Sequence, residues 1–158
     1  MSMTEKPDFI TFPASHYTYV EKLGSFDQTA RACWEELIGK KAEIAQNNQI
    51  VGAFAMYKMN PPQYRAGFAL ADKAKDLPSG LNYTHFEGGP YIRFTVTGSY
   101  DQMPEACGKA MDIVHKEKLD VSDNFFLENY LNDPTTTKED ELKTEILVPT
   151  VKSAVNAK

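Results

Sequence analysis

The sequence predicts an α+β fold: a β-α-β-β module present twice, forming an antiparallel sheet with both helices on one face. Two observations predict it. The first is an internal repeat. Moving residue 17 onto residue 91, an offset of 74, brings Tyr17, Gly24-Ser25, Asp27-Gln28 and Ala32-Cys33 onto Tyr91, Gly98-Ser99, Asp101-Gln102 and Ala106-Cys107. A period of that length exceeds the roughly 20–50 residues of a solenoid unit and marks two copies of one module. The second is the order of segments within each copy: one strand-like run, one helix-like run, then two strand-like runs, an order that most economically builds one antiparallel sheet.

The first copy opens on His16 to Val20, rich in aromatic and β-branched residues, and this run stops at Gly24-Ser25. Asp27 or Ser25 is placed to cap the helix that follows, which runs to about Gly39. Strands come next at Ile50 to Lys58 and about Gln63 to Leu70. The second copy repeats the plan from Tyr91 to Thr97, stopping at Gly98-Ser99, with Asp101 or Ser99 as the cap. Pro104 is tolerated only in a first turn and so fixes where the second helix starts; it runs to about Lys118. The last strands are Asn124 to Leu131 and Thr144 to Thr150. Here an offset of 73 sets Tyr57 and Pro61 on Tyr130 and Pro134, each pair marking a strand that ends in an Asn- or Asp-rich turn.

These elements make one domain over about residues 8–151, with repeats of about 8–71 and 84–151. The stretch from Asp72 to Tyr83 is a polar surface connector, Thr135 to Glu141 is a solvated loop, and residues 152–158 form a fraying tail. With 158 residues, 42% of them hydrophobic and 25% charged, the body is expected to fold around a full core. A net charge of -5 leaves no basic footprint for a phosphate backbone, so direct nucleic-acid binding is not expected. The polar start and the shortness of the longest apolar stretch, Ile50 to Tyr57, predict a soluble cytoplasmic protein without a membrane span or export signal.

Cys33 and Cys107 are too few and too far apart for a disulfide framework or a CxxC site, and read as reduced, packed cysteines. His16, His85 and His115 lie far apart along the chain without HExxH or CxxC company, so no metal is implied, and no cofactor. There is no Ser/His/Asp arrangement, nucleophile elbow or phosphate loop; Gly88-Gly89-Pro90 is a turn into a strand.

The candidate chemistry lies in the penultimate strand. Alternate strand residues share a face, so Phe126, Glu128 and Tyr130 point together. Their counterparts in the first copy are Ala53, Ala55 and Tyr57, and small residues against large ones leave a hollow. A carboxylate walled by rings either has its pKa raised or finds a positive partner, and rings add cation-π attraction of about 0.5–2 kcal/mol. Recognition of an amphiphilic cation is the functional reading; exposure of Glu128, or its pairing with Arg65 or Arg93, is the structural one. Trp34 faces Gly108 in the repeat alignment, a second large-for-small difference that shapes a pocket or simply fills a core. Tyr17 and Tyr91 hold equivalent strand positions, their hydroxyls reaching either the hollow or the sheet edge. Glu145 reads as ordinary strand alternation.

Gly88-Gly89-Pro90-Tyr91, Gly98-Ser99-Tyr100, Glu128-Asn129-Tyr130-Leu131-Asn132-Asp133-Pro134 and Thr144-Glu145-Ile146-Leu147-Val148-Pro149 follow one another in order. In this the chain resembles the GyrI-like small-molecule-binding family over about Phe9 to Val151. The resemblance implies a central ligand cleft, as in the effector-binding half of multidrug-sensing transcription regulators, with the acidic ligand residue at Glu128. Tyr57, Trp34, Ala55, Phe126, Tyr130, Tyr17 and Tyr91 remain pocket candidates on the strand-face and repeat arguments alone. The two copies leave no room for a helix-turn-helix, so the chain is not expected to be a transcription factor by itself. Binding of a drug-like, amphiphilic or cationic small molecule comes first. The alternatives are hydrolysis of cyclopropane-bearing electrophiles with Glu128 as the base, and inhibition of a protein partner such as DNA gyrase.

Overall fold

The computed structural model describes residues 2–151; the tail expected at residues 152–158 lies outside them. In chain order the elements are β1 (Ser2–Met3), β2 (Asp8–Phe12), β3 (Ser15–Leu23), α1 (Phe26–Gly39), α2 (Lys41–Asn47), β4 (Ile50–Met59), β5 (Pro62–Leu70), β6 (Asn82–Phe86), β7 (Gly89–Thr97), α3 (Met103–Lys116), β8 (Phe126–Tyr130) and β9 (Lys143–Pro149). Short 3-10 turns occupy Tyr100–Gln102 and Glu139–Glu141. The β-α-β-β order is thus present twice, as β3-α1-β4-β5 and β7-α3-β8-β9, and every strand pairing within each copy is antiparallel.

The chain divides into two compact halves, residues 13–88 and residues 2–12 with 89–151. In the first, the strands lie in the order β4-β5-β3-β6, with Ala55 opposite Ala66, Val20 opposite Ala66, and His16 opposite His85. In the second, the order is β8-β9-β7, with Glu128 and Phe94 both opposite Ile146. The free side of β7 is taken by β2, Ile10 opposite Tyr91, and by β1, Met3 opposite Val96. Residues 8–12, which the sequence assigns to the start of the first repeat, therefore complete the sheet of the second. β2 and β6 are counterparts at the same offset of 74, Asp8–Phe12 matching Asn82–Phe86, and each precedes one copy while pairing with the opening strand of the other; β1 has no counterpart among the described residues.

Each half packs its long helix on one sheet face. In the first, α1 lies on β3 and β5 and buries Thr29, Cys33 and Leu37. The Cys33 thiol reaches the Tyr64 carbonyl at 3.8 Å. In the second, α3 contributes Met103, Ala106, Ala110 and Val114 to a core with Ile92, Phe94 and Val96 of β7 and Ile146 and Val148 of β9. The small residues of α3 let helix and sheet approach closely, so the larger strand side chains supply the buried apolar area, at about 25 cal/mol per Å².

The two strand-to-helix corners are matched. Gly24 and Gly98 adopt φ of 121° and 132°, a region that favours glycine. The caps differ. Ser99 Oγ accepts from the Asp101 N–H at 3.2 Å and so caps the 3-10 turn that leads into α3, not α3 itself, whose N-cap Gln102 makes no side-chain cap bond; neither Ser25 nor Asp27 caps α1 with its side chain. There the Ser25 carbonyl takes the N–H groups of Gln28 and Thr29, both at 3.0 Å, and the Thr29 hydroxyl at 3.1 Å. Pro104 sits in the first turn of α3. That helix ends two residues short of Lys118, whose φ of 56° closes a Schellman-type turn: Lys118 N–H donates to His115 O and Leu119 N–H to Val114 O. The sequence reading missed α2, a seven-residue helix with only Ile44 buried, because one apolar residue shows no period.

Candidate functional site

β8 aims Phe126, Glu128 and Tyr130 at the face that carries α3. Phe126 packs against the α3 core, and Cys107 of α3 faces Glu128, its thiol 3.7 Å from Oε2. The Tyr130 hydroxyl donates to Glu128 Oε1 at 3.2 Å, and the Tyr130 ring meets the edge of Tyr100 at 5.4 Å between centroids. Glu128 as a residue is half-buried, yet protein surrounds its carboxyl closely enough that burial pushes the pKa above the ordinary glutamate value; the hydrogen bonds from Tyr130 and Cys107 offset part of this. Burial also raises the Tyr100 phenol, helped by the nearby Asp133 charge.

The arginines considered as counterions for Glu128 hold other carboxylates. Arg93 pairs with Asp8 and, at 3.3 Å, with Glu145. Arg65 donates to Glu21 at 2.6 Å and lies over the Tyr19 ring at 4.4 Å. Glu145, which also accepts from Asn129 at 2.9 Å, belongs to that structural ion-pair network.

The other half repeats the aromatic part of this arrangement without the acid. Phe26, the repeat counterpart of Tyr100, meets the Tyr57 edge at 5.5 Å and 72°, much as Tyr100 meets Tyr130 at 5.4 Å and 65°. Trp34 Nε1 donates to the Tyr64 hydroxyl at 2.8 Å, and Tyr64 stacks on Tyr57. Ala55, fully buried, holds the register position that Glu128 holds in its own half, opposite Ala66 where Glu128 is opposite Ile146.

Tyr17 and Tyr91 point the other way. Strand alternation places Tyr91 on the β7 face opposite Ile92, Phe94 and Val96, and its hydroxyl donates to the Phe125 carbonyl at 2.7 Å. Tyr17 stacks on Phe54 at 4.4 Å and donates to its carbonyl at 2.6 Å, over Gly67. Burial holds both phenols above their ordinary value. Within each half these tyrosines are core posts behind the sheet, apart from the helix-side residues with which the sequence reading grouped them.

Sequence reasoning missed Tyr100, Cys107 and Tyr64 as neighbours of the candidate site residues. The signal was present for two of them, since Tyr100 aligns with Phe26 and Cys107 with Cys33. Two shallow depressions lie about Gly98–Gln102 and Glu139, and neither includes Glu128. Among the described residues no group of three or more His, Cys, Asp or Glu is placed to hold a metal ion, and no helix is long and apolar enough to cross a membrane.

A twice-built antiparallel β-α-β-β unit, one copy of which carries an enclosed acid beside aromatic rings, defines the class of fold. The chain belongs to the GyrI-like small molecule binding domain family, whose model matches residues 5–151. No curated protein matches it. Among solved structures it is similar to the EcmrR C-terminal domain, at 14% identity and TM-score 0.75, over 91% of this chain and 96% of that one. In the EcmrR–DNA complex the chain spans 56% of the EcmrR chain, at 16% identity and TM-score 0.72. It is also similar to SAV2435 bound to tetraphenylphosphonium, at 13% identity and TM-score 0.69, over 91% and 93% of the two chains. A hydrolase from Listeria innocua matches at 14% identity and TM-score 0.62, over 92% of each chain. At these identities the likeness is one of fold.

Proposed function

We propose that this small-molecule-binding domain takes amphiphilic, drug-like cations, with Glu128 as the charge they meet. The observation that carries the reading is the setting of Glu128: burial disfavours its ionised form, and the hydrogen bonds from Tyr130 and Cys107 do not fully compensate. A ligand cation compensates further, because a positive charge beside the carboxylate favours ionisation where water is scarce. Phe126, Tyr130 and Tyr100 supply apolar area and ring faces, the latter worth about 0.5–2 kcal/mol each to a desolvated cation. A solved protein of this fold bound to tetraphenylphosphonium, a lipophilic cation, supports the same reading.

The test is a fluorescence or calorimetric titration with tetraphenylphosphonium and a cationic rhodamine. Wild type binds both, and Glu128→Gln weakens each by at least about tenfold, or about 1.4 kcal/mol. Equal affinity in the two proteins refutes the reading.

A second reading is favoured by the same raised carboxyl and by the hydrolase of like fold. Glu128 would act as a general base, taking a proton from water as the water oxygen bonds to a strained ring carbon; the ring C–C bond breaks with its electron pair passing to the leaving carbon, which then takes up the proton from Glu128. A cyclopropane-bearing alkylating agent is turned over by wild type and spared by Glu128→Gln if this holds. Absence of turnover across a panel of such substrates removes it.

A further inference from the structure

We infer that His16 and His85 form a two-imidazole site for a borderline transition-metal ion of the Cu(II), Ni(II) or Zn(II) class. The two residues are 69 positions apart in the chain (85 − 16), and the sequence gives no motif that joins them. The fold does. β3 and β6 pair so that His16 is directly opposite His85, and both side chains leave the same sheet face. Their ring centroids lie 5.2 Å apart with the planes at 65°. Two imidazoles bound at about 2.0–2.1 Å on one tetrahedral ion have ring centres about 5 Å apart, so this spacing needs little adjustment to admit the ion.

The outer shell is also in place. His16 Nδ1 lies 2.7 Å from the Tyr83 hydroxyl, and His85 Nδ1 lies 3.1 Å from Glu87 Oε1. Metal-binding histidines characteristically commit one ring nitrogen to a hydroxyl, carboxylate or carbonyl, which fixes the tautomer and orients the other nitrogen toward the metal. With Nδ1–H donated to Tyr83 and Glu87, the Nε2 lone pair of each ring remains available, and neither Nε2 has a hydrogen-bond partner among the described residues. Tyr83 also stacks on the His16 ring, restricting its rotation. The side chain of His85 is 46% exposed, so the ion has access from solvent and water completes its coordination. Imidazole ligation of this kind suits copper, nickel and zinc and does not suit magnesium or calcium.

The experiment is a Cu(II) titration of the full chain, followed by calorimetry and electron paramagnetic resonance. The expected result is one tightly bound ion per chain, with hyperfine structure from two equatorial nitrogens. His16→Gln and His85→Gln each weaken that binding at least tenfold and remove one nitrogen from the signal, whereas His115→Gln changes neither. His85→Gln is a surface substitution, so loss of binding in that variant, with its circular dichroism unchanged, cannot be attributed to unfolding. Retention of wild-type affinity by the His16→Gln/His85→Gln double variant overturns the assignment, and so does a wild-type spectrum without nitrogen coupling. Glu128→Gln leaves this binding unchanged, which keeps the result independent of the cation-binding reading.

Discussion

The Tyr130 hydroxyl lies 3.2 Å from Glu128 Oε1, two residues along the same strand face, so the acid's partner is built into its own strand. Tyr130→Phe removes that donor and retains the ring. The carboxyl then becomes harder to ionise, because a hydrogen bond that favours the charged form is lost. Cationic dye affinity is expected to fall by about 1 kcal/mol, and the pH at which binding reaches half its maximum is expected to rise. A pH series of titrations on wild type and variant measures both.

Glu128 itself sets a pH dependence of stability. Its folded-state pKa is raised, by burial above all, over the ordinary value of 4.5. Its contribution to stability is therefore fully present below that value and is lost as pH climbs through the folded-state pKa, since ionisation in place is disfavoured. Glu128→Gln should be more stable than wild type at pH 8, with the gap closing toward pH 4. Thermal melts across this range read it. Unchanged spacing between the two melting curves would falsify the burial argument.

Tyr91→Phe separates the two faces of the second half. It loses a hydroxyl bond to the Phe125 carbonyl and so costs about 1 kcal/mol or more of stability. Because Tyr91 lies behind the sheet from Glu128, dye affinity should stay within twofold. A variant that keeps its melting temperature and loses dye binding would return Tyr91 to the ligand site.

Gly67→Ala tests the packing of the first half. A Cβ at that position would come within 2.2 Å of Tyr17 Cζ, and the tyrosine is fixed by its stack on Phe54 and its bond to the Phe54 carbonyl. Overpacking of this kind typically costs 1–3 kcal/mol, about what chemical denaturation should report. Gly67→Ala should cost less stability in a Tyr17→Leu background than in wild type, because the side chain it would clash with is then shorter.

The repeat made the principal elements legible, and strand alternation placed Phe126, Glu128 and Tyr130 on one face because side-chain direction on a strand follows directly from position. Register confirms the offset used for that strand, with Ala55 and Glu128 opposite corresponding residues of β5 and β9. What could not be read depended on partners distant in sequence. Tyr17 and Tyr91 occupy the same strand type as the site residues, and only pairing decides which face is the helix side. Cys107 reads as a small packed residue until α3 brings it to Glu128. His16 and His85 show no motif because strand pairing, and not spacing, makes them neighbours. β2 and β6 align at the offset of 74 but share only one identity, Phe12 with Phe86, and β1 carries no repeat signal.

The pairing of β2 with β7 has a practical consequence. The first half is inserted in the chain between the opening strand of the second half and the remainder of it, so a single cut near residue 88 does not yield two complete pieces. A fragment from Gly89 onward would expose the hydrogen-bonding edge of β7 and would accept a synthetic peptide of residues 2–12 in trans. Restoring that edge takes residues 8–12, which a cut at the boundary leaves on the other piece.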